Sequence, residues 1–151
     1  ILEEFPEADT VAGVATGAIA QGALVAEELN LPFVYVRSSP KDHGLENLIE
    51  GELRPGMKVV VIEDLISTGG SSLKAVEAIR RDGCEVIGMI ASYTYGFPVA
   101  IEAFKNAKVE LATLTNYEAV LEVAVQTGYI KEDDVEVLNA WRKDPAHWTG
   151  E

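Results

Sequence analysis

The sequence predicts an α/β domain: a mostly parallel sheet flanked by helices on both faces. Two observations carry that expectation. Short apolar, strand-like segments alternate with longer helix-like ones along the chain, the order that a parallel sheet with crossover helices requires. The segment KVVVIED at residues 58–64 is an unbroken, largely β-branched apolar run rather than an alternation, as expected of a strand buried on both faces.

Taken in order, TVAGVA (residues 10–15) is a short apolar strand and GAIAQGALVAEELN (17–30) an Ala-rich helix. FVYVR (33–37) is a strand, followed by a long polar stretch over 38–56. After the buried strand at 58–64, SSLKAVEAIRRDG (71–83) has amphipathic helical spacing, with Leu73, Val76, Ala78 and Ile79 near one face and Gly83 at the stop. CEVIGMIASY (84–93) and VELATL (109–114) are further strands, separated by a helix over 98–106, and 117–126 and 132–143 have helical patterns. No repeat, low-complexity tract or linker interrupts the series, so residues 1–151 are expected to form one domain.

Composition narrows the function. Twelve basic residues against twenty-five acidic give a net charge of −13, which argues against a nucleic-acid partner, because phosphate neutralisation needs clustered Lys and Arg. The apolar fraction of 48% is too high for a disordered acidic chain. One cysteine, Cys84, excludes an internal disulfide and a Cys-based zinc site and fits a reducing, cytoplasmic setting. No run approaches a membrane span and no basic-then-apolar signal segment opens the chain.

Chemistry concentrates in VVVIEDLISTGGSS, residues 59–72. Two acids, Glu63 and Asp64, stand at the end of the buried strand, and a loop of small polar residues then leads into a helix. In open parallel sheets, ligands bind at the carboxyl ends of the strands. Free amides at the helix start suit a phosphate, glycines let backbone approach it, and the hydroxyls of Thr68 and Ser71 add hydrogen bonds. An acid pair beside an anion site serves a single ligand that has a phosphate at one end and hydroxyls further along, as ribose 5-phosphate has. Either piece alone is common as a solvated turn or a helix cap; the two in sequence are far more specific. No Gly-Lys-Ser/Thr follows, so this is not a Walker loop.

This segment resembles the phosphoribosyl-pyrophosphate (PRPP) signature of the type I phosphoribosyltransferases. The resemblance implies a type I phosphoribosyltransferase-like fold, with Glu63 and Asp64 on the ribose hydroxyls and the loop over 68–72 on the 5′-phosphate. It assigns PRPP contacts to Glu63, Asp64, Leu65, Ile66, Ser67, Thr68, Gly69, Gly70 and Ser71. A second segment, VRSSPKDHG at 36–44, resembles the mobile loop of the orotate phosphoribosyltransferases, matching at Arg37, Lys41, Asp42, His43 and Gly44. The resemblance implies that Arg37, Lys41 and His43 bind PRPP, and that Lys41 and His43 are catalytic, stabilising charge on the departing pyrophosphate. Ser67 and Tyr95 are the orotate-side candidates.

Three positions depart from the family pattern. Ser38 stands where a second Lys often follows the loop Arg. Gly17, in GVATGAIA, stands where a Lys is common in the pyrophosphate loop, leaving the backbone of residues 15–18 for that contact. Tyr95, in SYTYGFP, stands nearest to where many members place an Arg against the orotate carboxylate.

The expected reaction is transfer of the phosphoribosyl group from PRPP to orotate, giving orotidine 5′-monophosphate and pyrophosphate in pyrimidine biosynthesis. Mg2+ is implied as cofactor, held mainly by substrate oxygens near Glu63 and Asp64 with no direct protein ligand. Also implied are a homodimer that shares the lid over residues 38–51 across its interface, and an N-terminal hood portion expected to be missing ahead of Ile1. Transfer to a purine or uracil, and a non-catalytic PRPP-sensing module, are the alternatives; a sensor has no need of Lys41 and His43 aimed at a leaving group. The C-terminal GYIKEDDVEVLNAWRKDPAHW resembles that of some bacterial orotate enzymes, with Trp141 and Trp148 expected as packing or interface residues.

Overall fold

The computed structural model describes residues 1–37 and 48–149. Its elements are β1 (Thr10–Val14), α1 (Ala18–Leu29), β2 (Phe33–Val36), β3 (Ile49–Glu50), β4 (Lys58–Ile66), α2 (Gly70–Arg81), β5 (Glu85–Thr94), α3 (Pro98–Ala107), β6 (Leu111–Asn116), α4 (Tyr117–Gln126) and α5 (Asp134–Lys143). The strands form one sheet in the order β3-β2-β1-β4-β5-β6. Every pairing is parallel except β2 with the two-residue β3 at the edge.

Alternation along β4 sorts the core into two layers. Val60 and Ile62 pack with Ala18 and Ala26 of α1, while Val59 and Val61 pack with Ala75, Val76 and Ile79 of α2 and Phe104 of α3. Fully burying a side chain of this size contributes about 1.5–3 kcal/mol, so the central strand is the thermodynamic spine of the sheet. Helices thus lie on both faces. On α2 the buried stripe is Ser72, Ala75, Val76, Ala78 and Ile79, with Leu73 half-buried at its margin.

The direction of winding positions the site. From β1 the chain crosses through α1 to β2 on one side; from β4 it crosses through α2 to β5 on the other. The adjacent pair β1–β4 is therefore the switch point, and the loops leaving their carboxyl ends diverge around a crevice, where parallel sheets bind ligands. Strand β3 was not expected from the polar stretch over 38–56, because two residues give no readable alternation.

Candidate functional site

Two helix starts face the switch point. Helix α1 opens at Gly17, just after β1 and the cis Ala15–Thr16 peptide, and α2 opens at Gly69; neither has a side-chain cap. Each leaves first-turn amides without an intrahelical acceptor, and the helix dipole favours negative charge there. Thr68, Gly70 and Ser71 are exposed at the mouth of the α2 start, and Ser67 behind them is half-buried.

The two loop glycines do different jobs. Gly69 has φ +81°, and a Cβ there would lie 2.7 Å from Cε2 of Phe104, so it is required by backbone conformation and by packing against α3. Beside Gly70 the nearest heavy atom to such a Cβ is the Thr68 hydroxyl at 3.9 Å. Of the two, Gly70 is therefore the glycine whose Cβ side opens onto free space.

The acid pair splits between the two faces of β4, as adjacent strand residues must. Glu63 points into the α2 layer, is 4% exposed, and accepts hydrogen bonds from the Ser72 hydroxyl (2.7 Å) and the Asp64 amide (3.0 Å). Asp64 is half-exposed on the α1 side, with its carboxylate against the Gly17 Cα: a Cβ on Gly17 would lie 1.8 Å from Asp64 Oδ2. Glycine at 17, where the family pattern has lysine, is thus the residue that lets the Asp64 carboxylate sit beside the α1 start. Ser72, which the sequence offered only as part of the loop, is the partner that locks Glu63 to α2.

Burial raises the Glu63 carboxyl from its ordinary 4.5 to about 7; the Ser72 hydrogen bond works against this shift, and Asp64 next to it contributes on both sides. Between those values the folded chain holds a proton that the unfolded chain has released. The stability tied to Glu63 is therefore fully present below pH 4.5 and is lost as pH rises through about 7. Thermal melting of the wild type against Glu63→Gln across this window is expected to show the wild type losing ground as pH rises; parallel profiles would refute the assignment.

The remaining candidates fall around this centre. Leu65 is 40% exposed, whereas the Ile66 side chain is fully buried and its carbonyl accepts from the Tyr95 amide at 3.1 Å; any ligand contact by Ile66 is limited to its backbone. Arg37, just past β2, pairs with Glu50 at 3.4 Å. With Val14, Ala15, Ser71 and Lys74 it lines a cleft of about 320 Å³ beside the α2 start. Lys74, a cation the sequence reading did not single out, has no ion-pair partner among the described residues. Lys41, Asp42, His43 and Gly44, with Ser38, lie outside the described residues.

Tyr95 follows β5 and is half-buried in an aromatic cluster. Its ring stacks on Phe97 (5.2 Å) and meets Tyr93 (5.1 Å) and Trp141 (5.7 Å) edge-on. Through Tyr95 N–H to Ile66 O, this turn is joined to the residue before Ser67, so both base-side candidates sit on one connected piece of backbone. A larger hollow of about 800 Å³ between α4 and α5 is lined by Glu118, Glu122, Glu132 and Glu136, a poor place for an anionic substrate.

Among the described residues no group of three or more His, Cys, Asp or Glu could cage a metal ion. One carboxylate at the crevice, Asp64, fits a hard divalent cation carried chiefly by substrate oxygens. Nor, among the described residues, is any helix long and apolar enough to cross a membrane.

The chain matches the family described as phosphoribosyl transferase domain over residues 1–126. It is 84% identical over 148 residues to the orotate phosphoribosyltransferase of Phocaeicola vulgatus, covering 98% of this chain and 70% of that protein. Among solved structures it resembles the orotate phosphoribosyltransferase of Aeropyrum pernix, with a TM-score of 0.73 and 30% identity over 86% of this chain and 73% of that one. The UMP synthase of Leishmania donovani shares the fold, with a TM-score of 0.75 at 23% identity over 89% of this chain and 29% of that chain.

Proposed function

This chain belongs to the phosphoribosyl transferase domain family, and from that premise we infer that it is an orotate phosphoribosyltransferase, a pentosyltransferase that moves the phosphoribosyl group of PRPP onto orotate. The observation that carries the reading is the pair of uncapped helix starts at the β1–β4 switch point, with the Asp64 carboxylate near the end of β4 lying against Gly17 at the first of them. Two anion sites with a hydroxyl acceptor at the same crevice match a ribose that has a phosphate at one end and a diphosphate at the other.

In the proposed arrangement the 5′-phosphate rests on the amides at the start of α2, with the Thr68 and Ser71 hydroxyls beside it. Asp64 accepts from the ribose hydroxyls, and Glu63 holds Ser72 and the Asp64 amide in register. The diphosphate lies toward the backbone of residues 15–18 and Arg37, with Lys41 and His43 assigned to it by resemblance; Lys74 supplies further positive potential. The base faces Ser67 and Tyr95. As the base nitrogen gives up its proton to solvent and bonds to the anomeric carbon, the bond to the diphosphate oxygen breaks and the electron pair leaves with pyrophosphate. Cations around the leaving oxygens favour the transition state over the ground state. Mg2+, bound with PRPP, would supply charge neutralisation on the diphosphate, held mainly by substrate oxygens near Glu63 and Asp64.

The proposal extends to residues 1–151 acting as one core, to a cytoplasmic setting, and to a homodimer that shares residues 38–51 across the interface. Exposed Leu2, Leu24 and Leu114, 73%, 73% and 78% accessible and lining one hollow of about 590 Å³, support an association surface. Sedimentation of the intact protein is expected to give a dimer; a fully active monomer would overturn that part. The reaction itself is tested by supplying labelled PRPP, Mg2+ and a panel of bases. Orotidine 5′-monophosphate is the expected product; a purine or uracil nucleotide, or PRPP binding without turnover, would replace the reading with one of its alternatives.

A further inference from the structure

We propose that Arg142 is a positioning residue for the base, holding the Tyr95–Phe97 turn in place from the C-terminal helix; this rests on the phosphoribosyl-transfer reading of the site. Helix α5 lies beyond residue 126, where the family match ends, and has no fully buried residue of its own. Its attachments converge on one place. Arg142 Nε donates to the Tyr95 carbonyl at 2.8 Å, the Trp141 ring meets those of Tyr95, Phe97 and Tyr117, and the Tyr117 hydroxyl donates to the Leu138 carbonyl at 2.9 Å.

The guanidinium is itself held on three sides. Nη1 donates to Glu118 Oε1 at 2.6 Å, the Tyr117 ring lies 5.5 Å from Cζ, and Nη2 sits 2.8 Å from where a Cβ on Gly96 would stand. Gly96 has φ +66°, so the turn combines a left-handed residue with a guanidinium packed against it. A planar fork that uses Nε and Nη1 toward two different acceptors has a geometry that an ammonium does not reproduce. The chain of contacts then runs from Arg142 to Tyr95 O, and from Tyr95 N to Ile66 O, one residue before Ser67. Losing the outer bond frees the turn that presents Tyr95 and slackens its link to Ser67, while the phosphate loop keeps its own support from Phe104 and Ser72.

The consequence is specific to one substrate. In Arg142→Ala of the intact protein, KM for orotate is expected to rise roughly tenfold while KM for PRPP stays within about twofold, the signature of lost base positioning rather than lost catalytic charge. Arg142→Lys should rescue only part of this, and Glu118→Gln, which leaves the Nε bond to Tyr95 in place, should change orotate KM least. A merely structural helix would give a lower melting temperature and less active protein with both KM values unchanged, and that result would overturn the proposal. If Arg142→Ala does not fold, Arg142→Lys takes its place under the same criterion. Wild-type protein that makes no nucleotide from orotate would instead sink the functional reading, so the two failures are distinguishable.

Discussion

Asp64→Asn is expected to weaken PRPP binding by about 1.5–3 kcal/mol, roughly ten- to a hundredfold, while leaving the fold intact. The side chain is half-exposed at the end of β4, so an isosteric amide costs little packing. It does remove the charge that makes a carboxylate a strong acceptor for two hydroxyls, and it turns a donor toward them. Titration calorimetry with the magnesium complex of PRPP measures the loss directly. Unchanged affinity in a folded Asp64→Asn protein would remove Asp64 from the ribose.

The same contact is reachable from its other side. Gly17→Ala would place a methyl where the Asp64 carboxylate now sits, 1.8 Å from Oδ2, so the carboxylate has to rotate away. A comparable loss of PRPP affinity is expected without any change of charge. The contrast with Glu63 separates the two acids: its oxygens already serve Ser72 and the Asp64 amide, so Glu63→Gln is expected to alter the pH profile of stability more than the ribose contact.

Much of this was legible in the residues, for definite reasons. The apolar run of β4 announced a central strand because burial on both faces leaves no polar position, and the acid pair followed by small polar residues marked the end of that strand. The division of labour between Glu63 and Asp64 was also present in principle. Counting by twos from Val59 and Val61 puts Glu63 on the α2 face, and counting from Val60 and Ile62 puts Asp64 on the α1 face. Other features depend on tertiary contacts that no local pattern encodes. The reason for Gly69 is a phenyl ring on the next helix; that for Gly17 is a carboxylate three strands on in sequence. Arg142 reads as an ordinary last-turn cation of an amphipathic helix until the fold brings it to a carbonyl 47 residues away.

Lys41→Ala is expected to lower kcat by about a hundredfold to a thousandfold, the usual cost of one well-placed electrostatic contact to a developing anion. The leaving pyrophosphate gains charge only as the anomeric bond breaks, so a cation placed over it acts mainly on the transition state and the affinity for PRPP falls less. In the proposed arrangement few other cations are available to the leaving group. Gly17 and Ser38 stand where lysines are common in the family pattern, and Arg37 shares its charge with Glu50. Lys74 lines the cleft beside the α2 start, where it would raise the local potential. His43→Ala should have a milder effect in the same direction, because a neutral imidazole offers a hydrogen bond without a full charge. Steady-state kcat can hide the change if a conformational step or product release limits turnover. Single-turnover measurement with enzyme in excess isolates the bond-breaking step and is the deciding experiment. A Lys41→Ala protein that keeps its single-turnover rate and only binds PRPP more weakly would make the lysine a docking residue and end its assignment to the chemistry.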